Sequence, residues 1–94
     1  MFTTLRSLEL AVELYQLSKA ASVPRHLKDQ LVRASSSVAL NLMEGWGRKG
    51  EKDRMHFFTI AFGSLREVQS IIKLENLSAL DTKADHLYKL TRKC

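Results

Sequence analysis

The chain has 94 residues, 45% of them apolar, with one cysteine, one proline, four glycines and a net charge of +5. That length fits a single domain over residues 1–94 and leaves no room for two, and the apolar content with so little Pro and Gly excludes a disordered or low-complexity chain. The lone Cys94 excludes an intrachain disulfide, and no apolar run approaches the roughly 18 residues of a membrane span.

Apolar residues recur at spacings of three and four, with no sustained alternation, which predicts an all-α protein. The first helix is predicted over about residues 5–21. Leu5, Leu8, Val12 and Tyr15 form one apolar stripe; Leu10, Leu14, Leu17 and Ala21 form a second, nearly opposite. One stripe serves a monomeric bundle. Two stripes require cover on both sides, either from the chain itself or from another subunit. The subunit is favoured here, which makes Leu10, Leu14 and Leu17 the expected oligomer contacts. Each buried Leu contributes roughly 1.5–3 kcal/mol.

Pro24 suits a loop or a first helical turn, and a second helix follows over about residues 24–44. Leu27, Leu31, Ala34, Val38 and Leu42 share its apolar face. Its centre, Ala34 to Ala39, is small, so a neighbouring helix can approach closely. Arg33, Ser37, Asn41 and Glu44 form a polar row whose members are neighbours on the helix. This row is either a solvent-facing surface or part of a subunit contact. Gly45 is well placed to end the helix in a left-handed conformation.

After Gly45-Trp46-Gly47-Arg48-Lys49-Gly50, a third helix is predicted over about residues 51–75, with Gly50 as a permissive N-cap. Glu51 and Asp53 complement the positive end of its dipole. Its wide face of Met55, Phe58, Phe62, Leu65 and Ile72, beside Phe57, Ala61, Val68 and Ile71, marks the central core helix. After a break at Asn76 to Leu80, Asp81 or Thr82 can cap a short fourth helix ending near Arg92. A helix that short is marginal alone and draws its stability from docking. Short connections between long helices favour antiparallel neighbours. The expected fold is an antiparallel up-down-up-down four-helix bundle with a short fourth helix.

The charge is uneven, with residues 1–47 at net +1 and residues 48–94 at net +4. Arg48, Lys49, Lys52 and Arg54 cluster beside Trp46, where cations can contact phosphates and an indole can stack on a base. Arg66 and Lys73 share one side of the third helix and extend the patch. The opposing reading is a solvent-facing helix start with Trp46 packed inward. His26, His56 and His86 lack zinc-ligand spacing. Ser35, Ser36 and Ser37 lie mid-helix, without the sharp turn that exposes a nucleophile. No enzymatic activity, metal or cofactor is expected. The N-terminus has no signal-peptide pattern, and a single thiol suits a reducing compartment, so a cytoplasmic protein with no membrane partner is expected.

Two patterns on the second and third helices carry a family resemblance. The run Leu31-Val32-Arg33-Ala34 with Ser37, Asn41 and Glu44-Gly45 forms one, and Ala61-Phe62-Gly63-Ser64-Leu65 with Glu67 forms the other. Together they resemble the four-helix-bundle proteins named for the 23S rRNA intervening sequences in which some members are encoded. The chain is also similar to the accessory variability proteins of diversity-generating retroelements. The resemblance covers about residues 5–80. It implies ring-shaped homopentamers with a basic face or channel, and the retroelement relatives imply RNA or DNA and a reverse transcriptase as partners. The chain departs from the family pattern at Arg25-His26, where an acidic residue is usual, at Gly50, where Ser or Thr is common, and in its shorter fourth helix.

Overall fold

A computed structural model of the chain describes residues 5–91. These form four α-helices and no strand: α1 (Leu5–Ala20), α2 (Arg25–Trp46), α3 (Glu51–Glu75) and α4 (Ser78–Thr91). Each helix packs against two neighbours, in the cycle α1, α2, α3, α4, and the diagonal pairs do not approach. The result is the expected antiparallel bundle, 40 × 21 × 17 Å, with α2 and α3 sharing the most extensive interface. The ends expected at Arg92 and the thiol of Cys94 lie outside the described residues.

The core is one continuous apolar column. Leu10, Ala11 and Leu14 of α1 meet Leu31, Val38 and Leu42 of α2, Leu65 and Val68 of α3, and Leu87 of α4. The small centre of α2 has its predicted use, since Ala34, Ser35, Val38 and Ala39 are all buried. Three buried hydroxyls are satisfied within their own helices. Ser18 Oγ donates to the Leu14 carbonyl (2.8 Å), Ser35 Oγ to Val32 (3.1 Å) and Thr91 Oγ1 to Leu87 (2.8 Å). Such back-bonding removes the cost of an unpaired polar group in an apolar interior.

Three expectations need correction. Leu10 and Leu14 are fully buried by the chain's own helices, and the half-buried Leu17 packs against the same core. They are therefore not a free surface for another subunit. The other α1 stripe is covered only in part: Leu8 is buried and Tyr15 half-buried, while Leu5 is 62% and Val12 39% exposed. Both stripes are real; α2 and α4 close over the Leu10 side.

Gly45 does not end α2, which continues to Trp46. No glycine among the described residues has a positive φ. Gly45 is instead a contact residue, because a Cβ there would sit 2.6 Å from Phe58 Cε1 and 3.1 Å from Phe57 Cβ. The left-handed terminator is Asn76, at φ 53°, which closes α3 with the Leu77 amide donating to the Ile72 carbonyl (3.0 Å). This is the Schellman arrangement, with Asn in the place where Gly is commonest.

Because that closure takes only Asn76 and Leu77, α4 starts at Ser78, three residues before the expected caps. Asp81 lies in its first turn, favourably placed toward the helix dipole. α4 docks through buried Leu80, Ala84 and Leu87.

Candidate functional site

Leu87 and Thr91 of α4 line one narrow seam with Leu42 of α2 and Ala61 and Phe62 of α3. The described part of α4 therefore ends level with Ala61. The first ten residues of α3 run on beyond it, a projection of about 15 Å at the rise of a helix. The α2–α3 turn thus forms one end of the molecule, and it carries the cationic cluster.

Arg48 is the latch of this turn. Its guanidinium contacts Glu44 (2.8 Å) and Asp53 (3.5 Å) and lies over the Phe57 ring, 4.8 Å from the centroid. Its Nε is buried without an acceptor. Arg54 completes the latch, its Nε donating to the Arg48 carbonyl (2.6 Å). Gly50 caps α3 in an extended conformation, with Glu51 and Asp53 in the first turn as anticipated.

The four cations therefore differ in role. Arg48 ties the side chains of Glu44 and Asp53 across the turn and Arg54 holds its backbone, whereas Lys49 and Lys52 are exposed and have no ion-pair partner among the described residues. Trp46 does not pack inward; its surface is 49% exposed.

Arg66 and Lys73 are not brought to this cluster. Arg66 follows Arg54 by twelve residues, about 18 Å along α3 and a third of a turn around it. Both instead line an open cleft of about 350 Å³ between α3 and α4, shared with Asp81, Asp85 and Tyr88. Arg66 donates to the Tyr88 hydroxyl (3.2 Å) and lies 5.4 Å from that ring's centroid, while Tyr88 stacks on Phe62. The two aspartates offset the two cations, so the cleft is not a uniformly basic surface.

The polar row of α2 is split. Arg33 is exposed, and Glu44 is paired with Arg48. Ser37 and Asn41 face α3 and are partly buried. Ser37 Oγ and Ser64 Oγ are hydrogen-bonded at 2.8 Å, and Asn41 Nδ2 donates to the Ser37 carbonyl (2.8 Å) and hydroxyl (3.1 Å).

A surface that sequence reasoning did not assemble lies between α1 and α2. Val12, Tyr15 and Gln16 with Ser36, Ala39, Leu40 and Met43 line an open groove of about 330 Å³ without one charged side chain. Leu40 is 64% and Met43 44% exposed. The signal was present in the sequence, since Leu40 and Met43 lie three apart and off the Leu31–Leu42 face of α2.

The serine hydroxyls at 35 and 36 point back to helix carbonyls, and Ser37 is engaged by Ser64. His26, His56 and His86 are exposed and far apart in the sequence. Among the described residues no group of three His, Cys, Asp or Glu side chains is placed to hold a metal ion, and no helix is long and apolar enough to cross a membrane.

Fold and surface together define a small antiparallel four-helix-bundle protein, with a latched, cationic α2–α3 turn at one end and an uncharged groove on one flank. Over residues 3–94 the chain matches the family model described as 23S rRNA-intervening sequence protein, and it belongs to that family. No curated protein and no solved structure matches the chain.

Proposed function

We propose that the chain is a non-enzymatic bundle that self-associates and binds RNA or DNA through the phosphates at its α2–α3 turn. The observation carrying this reading is the pair Lys49 and Lys52, exposed and without an ion-pair partner among the described residues, at a turn and helix start that Arg48 and Arg54 hold in place. Ammonium groups on a fixed backbone meet phosphates at the cost of ordering their own side chains alone.

The local charge is small, because Glu44, Glu51 and Asp53 offset most of the four cations. A single copy therefore binds weakly. Assembly of several copies multiplies the effect, as linked weak sites act at high effective concentration. The uncharged α1–α2 groove supports such assembly, since interface cores are depleted of charge. Expected partners are thus further copies of the chain and a nucleic acid. No step in this reading uses a metal or cofactor.

Fluorescence anisotropy with labelled RNA and DNA at about 50 mM salt tests the reading. Replacing Lys49 and Lys52 together by Ala should weaken binding while leaving the helical signal intact. Absence of binding to either nucleic acid at that salt contradicts the proposal.

A second reading, a scaffold for a protein partner such as a reverse transcriptase, is favoured by the same α1–α2 groove. A partner protein that competes with self-association for Val12 and Leu40, with no nucleic acid bound, would select it.

A further inference from the structure

Trp46 is the chain's sole tryptophan, and about half of it is open to solvent at the projecting end of the bundle. Two glycines follow it, and the fold requires neither. Gly47 has φ −79° and Gly50 φ −83°, conformations open to any residue. A Cβ on Gly47 would meet only the Glu44 and Met43 carbonyl oxygens at 3.7 Å, and one on Gly50 the Asp53 Cβ at 4.0 Å, both ordinary contacts. A Ser or Asp at position 50 would cap α3 better than glycine does. What the two glycines leave is a backbone without side chains at the turn that joins the indole to Lys49 and Lys52.

We propose that Trp46 is a stacking platform for an unpaired base, with Lys49 and Lys52 on the flanking phosphates, so that the ligand is single-stranded nucleic acid. This rests on the nucleic-acid reading above and narrows it. An indole face stacks on any base, so recognition is tolerant of sequence. In a duplex the base faces are already stacked on one another and closed to the indole. The Arg48 latch fixes the turn beforehand, so little order has to be imposed when the strand arrives.

Because the chain has one tryptophan, its emission reports the contact directly. The full chain is titrated with a single-stranded RNA of about twelve nucleotides, within the usual site size of such proteins, and with the duplex of the same sequence. The expected result is quenching by the single strand and little change with the duplex. Trp46→Ala should lower single-strand affinity about 5- to 150-fold, the range for loss of one stacked base, and leave duplex affinity and helical content unchanged. Trp46→Phe, which keeps an aromatic face, should retain most of the affinity.

Equal binding of both forms with no change in emission overturns the stacking proposal and leaves phosphate binding standing. No binding of either form removes both readings. An emission shift that follows protein concentration alone, insensitive to nucleic acid, makes the indole a subunit contact and also overturns the proposal.

Discussion

Ser37 Oγ on α2 and Ser64 Oγ on α3 lie 2.8 Å apart, a hydrogen bond that joins the two sequence patterns that carry the family resemblance. Asn41, one turn along α2, donates to the same hydroxyl and to the Ser37 carbonyl. This polar contact lies within the α2–α3 interface, the most extensive in the bundle, which carries the turn at residues 46–50. Ser37→Ala should destabilise the fold by about 1 kcal/mol, since it strands the partly buried Ser64 hydroxyl, and Ser64→Ala should cost less, because the Ser37 hydroxyl still accepts from Asn41. The double variant should lose less than the sum, with a coupling of about 0.5–1.5 kcal/mol by urea denaturation. Strict additivity would mean that the bond contributes nothing in solution.

Gly45 and Gly63 should respond in opposite directions. Both lie within helices, but Gly45 is closed in by the buried Phe58 ring, whereas a Cβ on Gly63 would meet nothing within 4 Å. Gly45→Ala overpacks the α2–α3 crossing, at about 1–3 kcal/mol, offset in part by about 1 kcal/mol of helix propensity. Gly63→Ala carries the propensity gain alone and should raise stability by about 0.8–1 kcal/mol. Thermal melts of the two variants check the signs.

The α1–α2 groove should govern assembly. Val12→Glu with Leu40→Glu places charge on a surface that is now apolar and uncharged, so sedimentation velocity should show a monomer with unchanged helicity. Leu10→Glu, by contrast, puts a charge into the fully buried core and should unfold the chain. An oligomer that survives the Val12 and Leu40 changes would move the interface elsewhere.

Acid should weaken one link between α1 and α4. Lys83 reaches across to Glu13, and its hydrogen bond holds the Glu13 carboxyl below the usual carboxylate range; desolvation opposes this, and the charges of Lys83 and Arg6 add to it. The folded chain thus binds that proton less tightly than the unfolded chain does. The pair contributes stability above the unfolded carboxylate pKa of about 4.3, and the contribution vanishes as pH falls through the lower folded value. Wild type should melt above Glu13→Gln at neutral pH, with the gap closing in acid. A gap independent of pH would assign the difference to packing.

The fold was legible in the sequence because spacing of apolar residues reports helix faces directly. Phe58, Ala61, Leu65, Val68, Ile71 and Ile72 are buried as their period requires. Which of the two α1 stripes would face the core was not legible. Leu5, Leu8, Val12 and Tyr15 are as apolar as Leu10, Leu14 and Leu17, yet of those four only Leu8 joins the core, which the positions of α2 and α4 decide. Helix ends were misread where two residues shared a plausible role. Gly45 is the commoner terminator, but Phe58 demanded a residue without a side chain there, and Asn76 took the left-handed position instead. Among the cations, sequence showed a cluster but not the division of labour, because the ties of Arg48 to Glu44 and Asp53 depend on the shape of the turn. Arg66 and Lys73 fell outside the cluster for a geometric reason, the length of α3 and the winding of its surface.

The most direct measurement is the salt dependence of nucleic-acid affinity for the assembled wild-type protein, set beside the Lys49→Ala, Lys52→Ala double variant. Phosphate contacts release counterions, so log affinity should fall linearly with log salt, by about 0.7 per contact on a single strand. The account predicts a steep slope for the wild type and a shallower one, with weaker binding, for the variant. A wild-type affinity indifferent to salt, or a variant with the same slope, would contradict it.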